Sequence, residues 1–306
     1  MLKFKRMSAN KKRFKGKNIV ITGGDGFIGQ ALLKQLKAEG ANIATLDIKT
    51  GFDICNWQKM AAFKRFKKID LVYHLAAINY VPDAWENPRR TFDINLKSTL
   101  NILEFCRLKR VGHLVFQSSY VYGRPKYLPI DESHPVGPTN PYSWSKLAGE
   151  TLCEAYARDY GIAVTILRPF NVYGVGQRKD FLVPLIIDQA WKSNNIHLND
   201  LKPKRDFLYL DDMVEALVLA GKHKTKSMEV FNIGSGESYS IAEIVAEVAR
   251  AAGKELMTFS RKHHRCGEIM DLYADISKAK RSLKWQPKVK LTEGLALVWN
   301  AKQDIV

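Results

Sequence analysis

The stretch "NIVITGGDGFIGQALLKQL", residues 18–36, restricts the fold more than any other part of the chain. A short β-branched run ends in glycines, and apolar residues at helical spacing (Ile28, Leu32, Leu33, Leu36) follow at once, with Gly40 as the stop. A strand that turns through glycines into a helix opens a βαβ unit, whose next strand lies parallel to the first. The rhythm then repeats. "ANIATLD", "IDLVYHLAA", "GHLVFQSS" and "IAVTILRPF" read as strands, and "TFDINLKSTLNILEFCRLK" and "PYSWSKLAGETLCEAYARDY" read as helices. This alternation predicts an α/β fold, a doubly wound parallel sheet of Rossmann type. Beyond about residue 173 the rhythm loosens, which predicts a smaller mixed α/β substrate-binding lobe. The expected division is a basic, disordered arm over 1–16, a dinucleotide-binding domain over 17–172, and mainly the substrate lobe over 173–306.

Gly23, Gly26 and Gly29 occupy the first turn at the spacing G-x-x-G-x-x-G. Glycines there permit a tight turn and a close approach of backbone to ligand, and the helix N-terminus then faces a diphosphate. Asp47 ends the second strand, eighteen residues after Gly29. A carboxylate at that point accepts hydrogen bonds from an adenosine ribose and repels a 2′-phosphate, so NAD is expected over NADP, with Lys49 nearby pulling the other way.

Charge bears on the choice of partner. The chain of 306 residues has a net charge of +17, and residues 1–17 hold eight Lys/Arg and no acid. The remaining +9 is distributed over 289 residues, so the excess reads as a solvated tail on a mildly basic body, and neither nucleic acid nor a membrane is expected as a partner. No apolar run has the length of a membrane span, and the basic start lacks the apolar segment of a secretory signal. Cys55, Cys106, Cys153 and Cys266 are scattered and read as reduced thiols of a cytoplasmic protein. His263 and His264 have no metal partners at suitable spacing, so no metal is expected.

Within "YSWSK", Tyr142 and Lys146 share a helix face as an i, i+4 pair. That spacing alone arises often by chance; its position in the chain gives it meaning. Together with "TGGDGFIG", "FDI", "HLAA", "FDINLKST", "SSYVYG" and "RPFNVYGVGQ", it resembles the extended short-chain dehydrogenase/reductase family, in its nucleotide-sugar epimerase/dehydratase branch. The likeness runs from about residue 17 to 300.

The resemblance implies roles for particular residues. Phe27 and Ile28 beside the glycines, Asp53 with Ile54, Leu75 to Ala77, Asn95 and Phe170 would contact the cofactor, as would Tyr142 and Lys146. Ser118, five residues before Gly123, takes the catalytic Ser/Thr position, with Ser119 and Tyr120 beside the substrate. Tyr142 becomes the base. Its phenol, ordinarily near pKa 10, must be lowered, and Lys146 would do so while binding the nicotinamide ribose. In the second lobe Asn171 and Arg205 ("KPKRDF") would meet the substrate, Arg205 on its diphosphate. Arg265 and Glu268 ("HRCGEIMD") would add a phosphate and a ribose contact, although Cys266 stands where the family usually has proline.

Dehydrating members of the family carry an Asp-Glu pair after the catalytic Ser/Thr; here those positions are Ser119 and Tyr120. The expected activity is therefore 4-epimerisation of a nucleotide-diphosphate sugar, with a UDP-hexose foremost. A 4-keto-sugar reductase or an atypical dehydratase stays open, and a nucleic-acid-binding homologue is the reading from another class. The intact Ser118/Tyr142/Lys146 set speaks against the last. Helices at 92–109 and 142–160 correspond to those that pair subunits in the family, so a homodimer is expected.

Overall fold

The glycine turn joins β1 (Asn18–Thr22) to α1 (Phe27–Ala38), with Gly26 as the helix N-cap. A computed structural model of the chain describes residues 12–261 and 268–303. The alternation continues through β2 (Asn42–Leu46), α2 (Trp57–Ala61), β3 (Leu71–His74), α3 (Val81–Glu86), α4 (Pro88–Leu108), β4 (Leu114–Gln117), α5 (Pro141–Tyr160) and β5 (Val164–Pro169). Short elements follow: β6 (Asn171–Tyr173), α6 (Leu182–Lys192), β7 (Asn195–Leu198), β8 (Lys204–Arg205) and β9 (Phe207–Tyr209). The chain then forms α7 (Leu210–Lys222), β10 (Met228–Ile233), β11 (Tyr239–Ser240), α8 (Ile241–Ala252), β12 (Met257–Ser260) and α9 (Leu291–Gln303).

The main sheet has the order β10-β5-β4-β3-β1-β2, and every pairing in it is parallel. β1 and β3 to β5 are buried almost throughout, as β-branched runs covered on both faces must be. From β1 the chain moves outward to β2 and returns on the other side to β3. Loops at the C-terminal ends of β1 and β3 therefore part in opposite directions and leave a crevice between them.

Two boundaries differ from the sequence expectation. β10, well past residue 173, pairs with β5 along Met228–Ile233 and completes the sheet, while α7 packs on α1. β5 would otherwise present an open edge, and the apolar strand "MEVFNI" closes it. At the other end, residues 12–16 are docked. Phe14 is buried in the core, and Arg13 bridges Glu39 and Glu215, tying the end of α1 to the middle of α7. The second lobe has its own core, in which Ile186, Ile244, Val248, Leu295 and Trp299 join α6, α8 and α9. No helix among the described residues is long and apolar enough to cross a membrane.

One buried ion pair fixes α5 against the sheet. Glu150 on α5 takes Arg168 of β5 through Nη2 at 2.6 Å and Nε at 3.0 Å, and it also accepts the hydroxyl of Ser118. Arg168 Nη1 donates to Tyr122 Oη at 2.9 Å, and that hydroxyl donates to Asn232 Oδ1 of β10 at 2.6 Å. Two strands, a loop and a helix thus meet at one pair of charges. Removing a single partner leaves the other buried and uncompensated. Glu150→Ala is expected to lower the free energy of unfolding by about 3–5 kcal/mol in urea titrations, and a loss under about 1 kcal/mol would contradict this role.

Candidate active site

A cleft of about 1510 Å³ opens where the main sheet's C-terminal ends face the second lobe. Its near end is the glycine turn. Gly23 has φ +72°, and a Cβ there would meet Ala76 N at 2.8 Å; a Cβ on Gly29 would lie 2.0 Å from Gly23 O. Only bare backbone fits, and this brings the N-terminus of α1 to the cleft floor with no side chain in between. Asp47 closes that end. Its Oδ1 accepts Lys49 N at 2.9 Å and its Oδ2 accepts Asp25 N at 3.0 Å, which aims the carboxylate along the cleft and leaves lone pairs for a further donor. Lys49 itself turns to Asp25 O at 3.1 Å.

Phe27, Ile28, Asp53, Ile54, Leu75, Ala76, Ala77 and Phe170 line the same wall, as the sequence predicts. Asn95 does not. Its Oδ1 accepts Ile78 N at 2.8 Å, while its Nδ2 donates to Ile78 O and to Ser145 Oγ, at 3.1 and 2.8 Å. The amide is thereby used up in holding the 75–78 segment against α5 from behind. His74, between Thr22 and Thr99, is pushed down to about 3 by burial and is a neutral packing residue.

At the far end the structure separates two adjacent serines. Ser118 is fully buried and donates to Glu150, away from the cleft. Ser119 lines the cleft beside the phenol of Tyr142. Side chains alternate along an extended strand end, so Gln117 and Ser119 share one face and Ser118 takes the other. Counting back from Gly123 lands on Ser118, which the pleat turns away from the cleft, while Ser119 faces it. Tyr120 fills the next part of the wall, packed edge-on against Tyr122 and Phe170, with its hydroxyl on Gly123 O.

Tyr142 and Lys146 stand one turn apart at the start of α5, which a capping box at Asn140 and Ser143 fixes. Burial raises the phenol of Tyr142, and the neighbouring Ser119 hydroxyl opposes that rise. Lys146 is almost wholly buried under the wall, its Nζ 4.2 Å from the centre of the Phe116 ring, and burial pushes it down to about 8. The expected lowering of the phenol by Lys146 is thus not the leading influence here, because the ammonium sits over an aromatic face below the cleft.

Toward the second lobe, Arg205 pairs with Glu268, donates to Ile269 O at 2.6 Å, and lines the cleft with it. Asn171 is exposed at the cleft edge and donates to Asp206 O at 3.0 Å. Arg265 lies outside the described residues. Residues that sequence reasoning missed gather at the rim. Gln117 and Gln177 each turn a buried Oε1 with no hydrogen-bond partner, and both line the cleft. Arg178 lies over the Tyr80 ring at 4.6 Å and pairs with Asp83 and Asp180. The "VGQR" that carries Gln177 and Arg178 continues a recognised motif, and this was the available signal.

The cleft suits an elongated dinucleotide: a bare turn for a diphosphate at one end, a carboxylate beyond it, and a buried orphan acceptor at Gln117 at the other. Among the described residues no group of three or more His, Cys, Asp or Glu is placed to hold a metal ion.

Comparison with known proteins agrees with this geometry. Residues 19–234 match the model of the NAD dependent epimerase/dehydratase family. A putative UDP-glucose 4-epimerase of Methanocaldococcus jannaschii is 36% identical, over 92% of this chain and 97% of that protein. The crystal structure of a Thermotoga maritima UDP-glucose 4-epimerase with UDP-glucose superposes with a TM-score of 0.88 at 29% identity, over 94% of this chain and 99% of that one. A GDP-6-deoxy-D-mannose reductase of Pseudomonas aeruginosa is 29% identical over 92% of this chain and 95% of that protein.

With the Asp47 carboxylate at the end of the cleft beyond the glycine turn, the protein is expected to bind NAD⁺ more tightly than NADP⁺ in calorimetry, and Asp47→Ala to narrow the difference about tenfold. Tighter NADP⁺ binding by the unaltered protein would refute the assignment.

Proposed function

The chain belongs to the NAD-dependent epimerase/dehydratase family, and on that footing we propose that it inverts C4 of a nucleotide-diphosphate sugar, with a UDP-hexose as the first candidate. The observation that carries this reading is that Tyr142 and Ser119 face the same cleft side by side, beside a tyrosine where dehydration would need a carboxylate. In this proposal Gly23, Gly26 and Gly29 seat the cofactor's diphosphate, Asp47 its adenosine ribose, Asp53 and Ile54 its adenine, and Leu75 to Ala77 with Phe170 its walls. Bound NAD supplies the acceptor for the C4 hydride and returns it.

Tyr142 takes the proton from the sugar's 4-hydroxyl and gives it back. A phenol raised by burial is a poor base at neutral pH, so a cation must oppose the burial when the site is filled. Lys146, one helical turn away, is the group placed to do so. Ser119 holds the 4-oxygen, the role the sequence gave to Ser118, because its hydroxyl faces the cleft. Arg205, released in part from Glu268, would take the substrate diphosphate, with Arg265 as a second contact and Glu268 accepting from the nucleotide ribose. Asn171 marks the substrate edge. Tyr120 narrows the pocket between Ser119 and Arg205.

The family's reductases share these residues, so the test must separate the two outcomes. Incubated with UDP-, GDP- and CDP-hexoses, the protein should interconvert C4 stereoisomers by NMR with no lasting change in NADH absorbance. Steady NADH consumption with a 4-keto sugar, and no inversion of any 4-hydroxy sugar, would make it a reductase. In the same assay Tyr142→Phe should lose about 10²–10⁴-fold in rate, and Ser119→Ala should lose more than Ser118→Ala.

We also place the protein in the cytoplasm, as a homodimer. Cys106 and Cys153 are buried free thiols, and burial raises both. α4 and α5 lie side by side, and Leu100, Leu108, Trp144 and Tyr160 on them are exposed at 43–57%. That much apolar surface on one helix pair suits a partner subunit. Light scattering at micromolar concentration should give twice the chain mass, and a monomer mass would refute the dimer.

A further inference from the structure

Several basic segments meet at the end of the sheet opposite the cleft. All six strands of the main sheet run the same way, so the segments that lead into them share one edge. Hydrogen bonds between these segments make the edge continuous. Gly16 N donates to Gly40 O at 3.1 Å, Asn18 Nδ2 to Lys68 O at 2.9 Å, and Gly112 N to Ile69 O at 3.4 Å. Val164 N donates to Ser227 O at 3.0 Å, which brings in the segment after α7.

These segments are rich in cations. "KRFKK", 64–68, carries four Lys/Arg and no acid, and "KHKTK", 222–226, carries three lysines and no acid. Their lysines and Arg65 are exposed, as are Lys12, Lys15 and Arg110. The carboxylates nearby are already committed: Asp70 to Lys17, Glu39 and Glu215 to Arg13, Asp159 to Arg158, and Glu229 to His223. Among the described residues Lys64, Lys67, Lys68, Lys224 and Lys226 form no salt bridge. The chain also enters the described structure on this edge, at Lys12, and the eleven residues before it carry four more Lys/Arg and no acid.

We propose that this face docks the protein on an anionic lipid surface, with the cleft directed away from the membrane and open to soluble substrate. The chemistry favours a bilayer over a nucleic acid. The cations are mostly lysines, point charges that suit a diffuse negative surface, where planar arginine forks would suit individual phosphates. Bases need aromatic platforms or an element that enters a groove. Here Phe63 is buried, Phe66 is half-covered with Arg65 over its ring, and among the described residues strand-entry loops form the edge. A cluster of this size attracts a negative leaflet by charge alone, and salt weakens the attraction.

The test is co-sedimentation of the full chain with phosphatidylcholine vesicles, with and without about 30 mol% phosphatidylglycerol. The protein should bind only the anionic vesicles and leave them at high salt. Lys64→Glu/Lys67→Glu/Lys68→Glu should weaken partitioning about 100-fold, whereas Lys280→Glu/Arg281→Glu/Lys290→Glu, the same charge change elsewhere, should weaken it less than about threefold. Circular dichroism and the thermal midpoint, unchanged in both variants, would show that folding is intact. Four results would overturn the proposal: no binding by the unaltered chain, equal binding to neutral vesicles, equal losses in the two variants, or displacement from vesicles by a short DNA duplex at lower concentration than by lipid. The last would assign the face to nucleic acid.

Discussion

The Glu150–Arg168 pair is the point on which the positions of Tyr142, Lys146 and Ser119 depend. α5 carries Tyr142 and Lys146 near its start, and Glu150 lies one further turn along the same helix face as Lys146. Fixing Glu150 on β5 therefore sets both the rotation and the height of the helix relative to the sheet. The same carboxylate takes Ser118, which sets the pleat of the strand end and leaves Ser119 facing Tyr142. A desolvated ion pair is a costly way to join a helix to a strand, and an apolar contact could match it in stability. What an apolar contact lacks is direction. Five side chains hydrogen-bonded at fixed angles give this part of the core one arrangement only, and proton transfer requires that degree of placement.

The other end of the cleft is fixed by the opposite means, the absence of side chains. Gly23 and Gly29 let α1 approach the turn so closely that any Cβ would strike backbone. The helix N-terminus can then face a diphosphate at short range. One end is thus exact because many polar groups converge, and the other because none intervene. Between them the walls are apolar, from Phe27 and Ile28 to Leu75 and Phe170, as befits a cleft that must exclude water without competing for hydrogen bonds.

Most of the fold was legible because its signals are local. Periodicity and caps placed α1, α4, α5 and the first five strands close to their observed bounds, since each rests on neighbours in sequence. The glycine turn, Asp47 and the Tyr142–Lys146 pair were legible for the same reason. What sequence could not supply was contact across long separations. β10 joins the sheet through β5, more than sixty residues earlier, and Arg13 finds Glu215 across two hundred. Which of Ser118 and Ser119 faces the cleft turns on a single step of the pleat, which a motif count cannot resolve. Asn95 was placed on the right helix, but its amide turned out to serve Ile78 and Ser145.

Charge shows the same limit most clearly. Spread along the sequence, the basic residues beyond the first seventeen look dispersed and unremarked. A parallel sheet changes this, because every strand must be entered from the same side. Loops separated by fifty or more residues, such as 64–68, 109–112 and 222–226, are thereby brought to one edge, while the glycine turn, Asp47 and Tyr142 are brought to the other. The topology that builds the cleft at the C-terminal ends thus builds a second surface at the N-terminal ends, free of any demand from the chemistry. Substitutions there can accumulate one sign of charge without disturbing the cleft, since the sheet's thickness separates the two and intervening solvent screens them. The cationic face and the cleft are therefore two consequences of a single parallel sheet, able to change independently of one another.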